Sequence, residues 1–253
     1  MTRPAGLRDA PPDELAPIIP FEDFDRYVFE WKQGQHIGLV GPTEAGKSTM
    51  LYSLLPRRKY VTFFATKPHD ETLDEFAERG GFVRIQDWPP VKSRGVMRRR
   101  PYTAAEMPKR LLWPDASTVG AVHRQKEVFT RAFDEIYSEG GWCVVWDEFW
   151  MMTRILDMEE ESRILLQQAR SNKISFVMGA QRPARIPVEM FDQSHHLFFA
   201  RDNDERNLKH IAGVGWLASG PIKAFVAGLD PYQFLYVNTR TGIMYRTTAP
   251  ALH

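Results

Sequence analysis

Residues 41–48 form the pattern in this sequence with the clearest chemistry. They read Gly-Pro-Thr-Glu-Ala-Gly-Lys-Ser, which fits G-x-x-x-x-G-K-[ST], and they separate an apolar run at 36–40 from a helical segment. The two glycines let the backbone curl so that its N–H groups can point at phosphate oxygens. Lys47 is expected to reach the β and γ phosphates of a nucleotide, and Ser48 to hold Mg²⁺. The predicted nucleotide-binding residues are Gly41, Pro42, Thr43, Glu44, Ala45, Gly46, Lys47, Ser48 and Thr49.

A second candidate is the pair Asp147-Glu148, which ends the apolar run Cys143-Val-Val-Trp. This arrangement is typical of a Walker B strand. Asp147 is expected to hold Mg²⁺ through water, and Glu148 to polarise the attacking water as a general base. The alternative is that the two acids merely begin a solvated turn.

A third candidate is Gln181, which follows the apolar segment 174–180. In a parallel sheet this segment would lie beside the strand that carries Asp147. The carboxamide could then sense the γ phosphate or align water. A glutamine at a strand end can also be a simple surface residue.

These residues need a sheet to position them. Short β-rich runs alternate with helical spacing, which is typical of parallel strands joined by crossover helices. We predict an α/β fold, a P-loop NTPase of the ASCE or RecA-like type, with a mostly parallel central sheet flanked by helices and a C-terminal β-hairpin. Strands are expected at 36–40, 60–65, 82–85, 110–113, 142–146, 174–180 and 196–200. Helices are expected at 47–55, 71–79, 122–139, 159–170 and 203–211, and the hairpin at 233–247.

The predicted organisation is a proline-rich irregular arm at 1–20 followed by one ATPase domain at 21–253. The arm is expected to be disordered or to lie along a neighbouring subunit. Within the domain, 86–117 is interpreted as a basic insertion, and 222–253 contains the C-terminal hairpin.

Composition sets outer bounds on function. Hydrophobic residues make up 43% and charged residues 26%, which excludes a mostly disordered or collagen-like chain. Lys and Arg number 33 against 32 Asp and Glu, so no overall positive charge indicates a nucleic-acid partner. One cysteine, Cys143, excludes an internal disulfide and favours the cytosol. No signal peptide or membrane-spanning segment is predicted.

Three segments, 41–49, 144–148 and 167–183, together resemble the FtsK/HerA superfamily of DNA-pumping ATPases. In that superfamily a helix ends in Ala-Arg, a hydrophobic strand follows, and the strand closes with Gln-Arg-Pro. This sequence has Ala169-Arg170 and Gln181-Arg-Pro183 at those places. Lys67 resembles the family's lysine after the second strand. The resemblance spans 35–212, and the compact size is similar to the genome-packaging ATPases of tailless viruses with an internal membrane.

The resemblance implies that ATP and Mg²⁺ are bound and that the chain forms a homo-oligomeric ring, expected to be a hexamer, with ATP at subunit boundaries. Arg170 would be the arginine finger supplied to the neighbour, with Arg201 as the alternative. The implied partners are double-stranded DNA and a capsid vertex or membrane protein. The implied location is the host cytoplasm, with association to the virion at a packaging vertex.

Contact with DNA is expected from basic loops, since a translocating ring reads the phosphate backbone. Between 92 and 110 basic residues outnumber acids, and a second basic pair follows Gln181. The alternative is a solvated charged face. The candidate DNA-binding residues are Arg94, Arg98, Arg99, Arg100, Arg182 and Arg185.

Two features depart from the family pattern. Glu44 puts an acid in the phosphate loop where small residues are usual, and 86–117 has no assigned motif. Three functions stay open: a viral packaging translocase, a conjugation or chromosome-transfer translocase of the same superfamily, and a non-translocating ATP-dependent switch or assembly factor.

Overall fold

A computed structural model describes residues 15–94, 98–183, 186–212 and 219–251. The chain divides into two compact units. The first comprises the described residues of 1–32, 36–50 and 180–253, and the second comprises 33–35 and those of 51–179.

The strands and helices of the described residues follow the predicted alternation. The strands are β1 (His36–Val40), β2 (Val61–Phe64), β3 (Val83–Ile85), β4 (Val91–Arg94), β5 (Arg98–Pro101), β6 (Lys109–Leu112), β7 (Cys143–Trp146), β8 (Ser175–Ala180), β9 (Ser194–Ala200), β10 (Gln233–Asn238) and β11 (Met244–Thr248). The helices are α1 (Lys47–Leu54), α2 (Glu71–Gly80), α3 (Val119–Glu139), α4 (Glu159–Gln168), α5 (Val188–Gln193), α6 (Glu205–Ala212) and α7 (Ser219–Ala227). Shorter helical turns lie at Phe21–Asp23, Phe24–Val28, Leu55–Arg57 and Met151–Ile155.

The second unit is built on parallel strands in the order β8, β7, β2, β6, β3. Every residue of β2 and β7 is buried, as expected for apolar runs covered on both faces. In the first unit β1 runs parallel to β9, whereas β10 and β11 continue from β9 as antiparallel strands. The mostly parallel α/β sheet and the C-terminal hairpin are therefore confirmed.

Side-chain caps explain where two helices of the second unit begin. The Asp70 carboxylate accepts a hydrogen bond from the Leu73 N–H at 3.1 Å and starts α2. The Thr118 hydroxyl accepts one from Ala121 and starts α3 at Val119, three residues earlier than its apolar spacing predicts. In the described part of the chain, no helix combines the length and the apolar character needed to cross a membrane.

The end of the predicted arm joins the first unit. Ile18 forms a β-bridge with Arg246 of β11, and the Arg246 N–H donates to the Pro17 carbonyl at 2.9 Å. Ala16 is fully buried. Residues 1–14 of the arm lie outside the described residues.

The segment 86–117 contains two different structures. Its C-terminal part includes β6, which lies between β2 and β3 in the parallel set, so the brief strand expected there is an inner strand of the second unit. Its N-terminal part forms the antiparallel ribbon β4–β5, which the sequence did not indicate.

Arg110 of β6 is fully buried between two indole rings. Its guanidinium carbon lies 4.8 Å from the ring centroid of Trp88 and 4.6 Å from that of Trp142. The guanidinium also donates to the carbonyls of Met107 and Tyr102 at 3.1 and 3.2 Å. A positive charge that sequence analysis places in a basic segment therefore lies in the interior, in contact with two aromatic rings and two carbonyls.

We expect Arg110→Ala to lower the free energy of unfolding by about 3–5 kcal/mol, because it removes both ring contacts and leaves buried carbonyls without their donor. Urea denaturation of the two proteins measures this difference. Arg79→Ala, on the exposed face of α2, is the control and should change stability little. Equal stability of the Arg110→Ala variant and the wild type would contradict the structural role.

Candidate nucleotide site

Gly41 begins the phosphate loop directly after β1. Its N–H donates to the carbonyl of Ala180, the last residue of β8, at 3.1 Å. A Cβ on Gly41 would lie 2.5 Å from the Cβ of Ala200, at the end of β9. No side chain fits at that distance, so glycine is required by the close approach of these strand ends.

The loop then turns through two left-handed residues, Glu44 with φ +63° and Gly46 with φ +84°. Left-handed residues in a tight loop direct neighbouring N–H groups into one concavity, which suits an anion. The Met50 N–H donates to the Gly46 carbonyl at 2.9 Å and closes the first turn of α1, whose positive end adds to this field. The Glu44 side chain is exposed.

Lys47 lies inside the loop, with 8% of its surface exposed. Its ammonium donates to the Pro42 carbonyl at 2.7 Å and so bridges the two ends of the loop. Ser48 is half-buried in the first turn of α1. A left-handed loop, a buried ammonium and a serine in the first helical turn are the groups that a nucleotide phosphate with Mg²⁺ requires.

The structure brings Gln181 to this loop. The Thr43 hydroxyl donates to the Gln181 side-chain oxygen at 3.3 Å. The carboxamide therefore lies beside the first half of the loop, which we call the opening end. Lys47 forms its hydrogen bond with Pro42 in the same half.

The sequence did not indicate that Tyr232 lies beside the loop. Its Cδ1 atom is 3.2 Å from the place where a Cβ on Gly46 would lie. Tyr232 immediately precedes β10, and no local pattern marks it, because the contact depends on how the C-terminal hairpin folds back.

Asp147 and Glu148 follow β7 in the second unit, and both are half-buried. The Asp147 carbonyl lies 2.3 Å from the place where a Cβ on Gly179 would be, so β8 passes close to the end of β7. The Met151 N–H donates to the Glu148 carbonyl at 3.0 Å and begins a helical turn. Both carboxylates thus emerge at the carboxyl end of the parallel strands.

A cleft at this end of the second unit is lined by Lys67, Asp70, Trp113, Asp147 and Glu148, together with parts of β2 and α2. The Lys67 ammonium lies 2.9 Å from an Asp70 carboxylate oxygen, and the Trp113 indole donates to the Lys67 carbonyl at 2.7 Å. Burial acts to lower the pKa of Lys67. The hydrogen bond to Asp70 and the charges of Asp147 and Glu148 outweigh it and raise the pKa above its ordinary value. Lys67 therefore stays charged beside the two acids.

Arg170 lies at the opposite end of the same strands. It is exposed and precedes β8, which runs parallel to β7 with Ser175 opposite Cys143. A strand of four residues, the length of β7, spans roughly 13 Å. Arg170 therefore cannot reach Glu148 of its own chain.

Arg201 has a different position, in the first unit. It is exposed and follows Ala200, the residue that lies against Gly41. Arg201 is thus at the same end of its strand as the phosphate loop of its own chain.

The candidate DNA-binding arginines are divided between the β4–β5 ribbon and the segment after Gln181. Backbone pairing places Arg94 opposite Arg98. Arg100 forms an ion pair with Glu106, with N–O distances of 2.8 and 2.5 Å, and this pair holds the pKa of Glu106 below its usual range. Arg182 is exposed. Arg185 lies outside the described residues.

Together, the fold and the loop at 41–48 define a P-loop NTPase fold. No family model matches the chain, and a search of curated protein sequences finds no match. Similar solved structures exist. The genome packaging NTPase B204 from Sulfolobus turreted icosahedral virus 2, in complex with sulfate, is 12% identical with a TM-score of 0.60, over 88% of this chain and 100% of that chain. B204 in complex with AMPPCP is 12% identical with a TM-score of 0.55, over 86% of this chain and 98% of that chain.

VirB4 of Thermoanaerobacter pseudethanolicus is also similar. It is 12% identical with a TM-score of 0.62, over 86% of this chain and 90% of that chain. At such identities the likeness shows the fold alone, and the predicted P-loop ATPase fold is confirmed.

Proposed function

We propose that this protein hydrolyses Mg-ATP to move double-stranded DNA, as a viral genome-packaging motor. The observation that carries the proposal is the phosphate loop with Lys47 bonded across it and Gln181 against Thr43. Support comes from a fold shared along the whole length of a viral packaging NTPase. A motor of this kind would act in the host cytoplasm, docked at a capsid vertex or on a membrane protein, and would be carried at the packaging vertex.

Each residue has a role in this proposal. The loop N–H groups and Lys47 bind the phosphates and stabilise the charge that develops on the transferred phosphoryl group. Ser48 and Asp147 would hold Mg²⁺, which neutralises negative charge on the phosphates when bound. Glu148 accepts a proton from the attacking water. Gln181 orients that water or senses the γ phosphate.

The position of Arg170 supports a ring, which we expect to be a hexamer. Since it lies at the far end of the strands from Glu148, its guanidinium is available to the site of a neighbouring subunit. Arg201 lies beside its own phosphate loop and suits a role within one subunit.

The β4–β5 ribbon is the proposed DNA contact. Like charges directly opposite each other destabilise a two-stranded ribbon, and the pairs Arg94 with Arg98 and Lys92 with Arg100 are both of this kind. Glu106 forms ion pairs with both members of the second pair. In this proposal a DNA phosphate backbone lies against the first pair.

VirB4 supports a second candidate within the same class, a translocase for conjugation or chromosome transfer. Both candidates predict turnover that depends on DNA, whereas an ATP-dependent switch or assembly factor does not. Packaging of duplex DNA into the matching empty capsid distinguishes the first two.

We expect duplex DNA to stimulate ATP hydrolysis by the wild-type protein. The double variant Arg98→Glu, Arg99→Glu should lose this stimulation and keep its basal turnover. Its affinity for DNA should also depend less on salt. The slope of log affinity against log salt concentration should become shallower by about one for each phosphate contact that is lost. Phosphate release and fluorescence anisotropy measure the two effects.

Arg79→Glu makes the charge change of one of these two substitutions on the exposed side of α2 and is the control. Wild-type turnover that is indifferent to DNA would refute the translocase proposal. Full stimulation of the double variant would refute only the role of the ribbon.

A further inference from the structure

Tyr232 combines an exposed ring with an unfavourable backbone conformation. Its φ is +62°, a left-handed value that is rare for a bulky residue, and the side chain is 58% exposed. Packing in the interior does not explain such a residue. Backbone strain of this kind clusters at functional sites.

The C-terminal hairpin holds Tyr232 in this conformation. Its carbonyl accepts a hydrogen bond from the Ala249 N–H at 2.9 Å, and the next residue, Gln233, pairs with Thr248 of β11. The hairpin thus holds the backbone at the strained residue and at the residue that follows it.

The ring lies at one particular end of the phosphate loop. Tyr232 contacts the Gly46 end, whereas Gln181 contacts Thr43 at the opening end. The Thr43 end also holds the Lys47 hydrogen bond to Pro42. Since Lys47 is expected to reach the β and γ phosphates, we assign the γ phosphate to this end. A nucleotide bound in this direction leaves the loop toward its ribose and base near Gly46.

We propose that Tyr232 is the platform on which the base of the bound nucleotide stacks. An exposed aromatic ring gains contact area and loses hydration when a planar base covers it. The inference rests on the proposed nucleotide-binding function and adds the residue that distinguishes a nucleotide from a bare polyphosphate.

The test compares Mg-ATP with inorganic tripolyphosphate by calorimetry, using wild-type protein, Tyr232→Asn and Tyr232→Phe. Asparagine tolerates the left-handed conformation, so Tyr232→Asn should melt no lower than the wild type. It should bind ATP about 5- to 150-fold more weakly, the range for loss of one base stack, and bind tripolyphosphate unchanged. Tyr232→Phe should bind ATP as the wild type does.

Tyr27→Asn, at another exposed tyrosine of the first unit, is the control and should bind both ligands normally. Equal weakening of ATP and tripolyphosphate by Tyr232→Asn would overturn the inference, since the loop itself would be disturbed. Unchanged binding of both would also overturn it. If the wild-type protein binds neither ligand, the proposed function fails first.

Discussion

Replacement of Glu148 by glutamine is expected to lower ATP turnover by about 10²–10⁴-fold and to leave ATP affinity nearly unchanged. The Glu148 carboxylate is half-buried after β7, in the cleft that holds Lys67 and Asp70. Glutamine has the same shape but cannot accept a proton from water. Phosphate release gives the rate, and calorimetry gives the dissociation constant.

Lys47→Ala provides the contrast, because it should weaken ATP binding as well as turnover. The buried Lys47 ammonium is part of the phosphate-binding concavity itself. Glu160→Gln, an exposed change on α4, is the control for charge and should have no effect. Normal turnover by Glu148→Gln would exclude the carboxylate as the general base.

Replacement of Arg170 by alanine is expected to cost about 10³–10⁵-fold in turnover, the usual effect of losing an arginine finger. ATP binding should survive, because Arg170 lies at the opposite end of its own strands from Glu148. Arg163→Ala, on α4 just before Arg170, is the matched control and should leave turnover intact.

Mixing experiments distinguish a residue that acts across subunits from one that acts within its own. Arg170→Ala and Lys47→Ala proteins are each expected to be inactive. Mixed rings should recover part of the activity, because some boundaries combine an intact loop with an intact finger. Lys47→Ala mixed with Glu148→Gln should not recover, since both groups belong to one subunit's site. If Lys47→Ala protein regains activity when mixed with Arg201→Ala protein but not with Arg170→Ala protein, the arginine finger is Arg201.

Local patterns were sufficient to predict most of the strands and helices. The strand at 36–40 has the predicted bounds, and the strand before Asp147 begins within one residue of its prediction. Both succeed because strand, loop and helix signals are contiguous in the sequence. Short elements with weak patterns were missed, among them β4, β5 and α5.

The charge of a residue did not predict its environment. Arg110 belongs to the basic segment that was predicted to be a surface, yet the residue is buried between Trp88 and Trp142. Whether a charged side chain is solvated depends on residues that are distant in the sequence, and these cannot be identified from the neighbouring residues alone. Arg100, another residue of this basic segment, is bonded to Glu106, a contact that its charge alone did not predict.

Local sequence patterns were enough to predict the candidate chemistry: a phosphate loop, a pair of acids after a buried strand, and a glutamine after another. The residues that adjoin these groups became apparent only in the tertiary structure. Gln181 contacts Thr43, Tyr232 contacts Gly46, and Lys67 lines the same cleft as Asp147, although the members of each pair are far apart in the chain. Such contacts arise because parallel strands bring their carboxyl ends to one edge and the hairpin folds back on the loop, which no short stretch of sequence encodes.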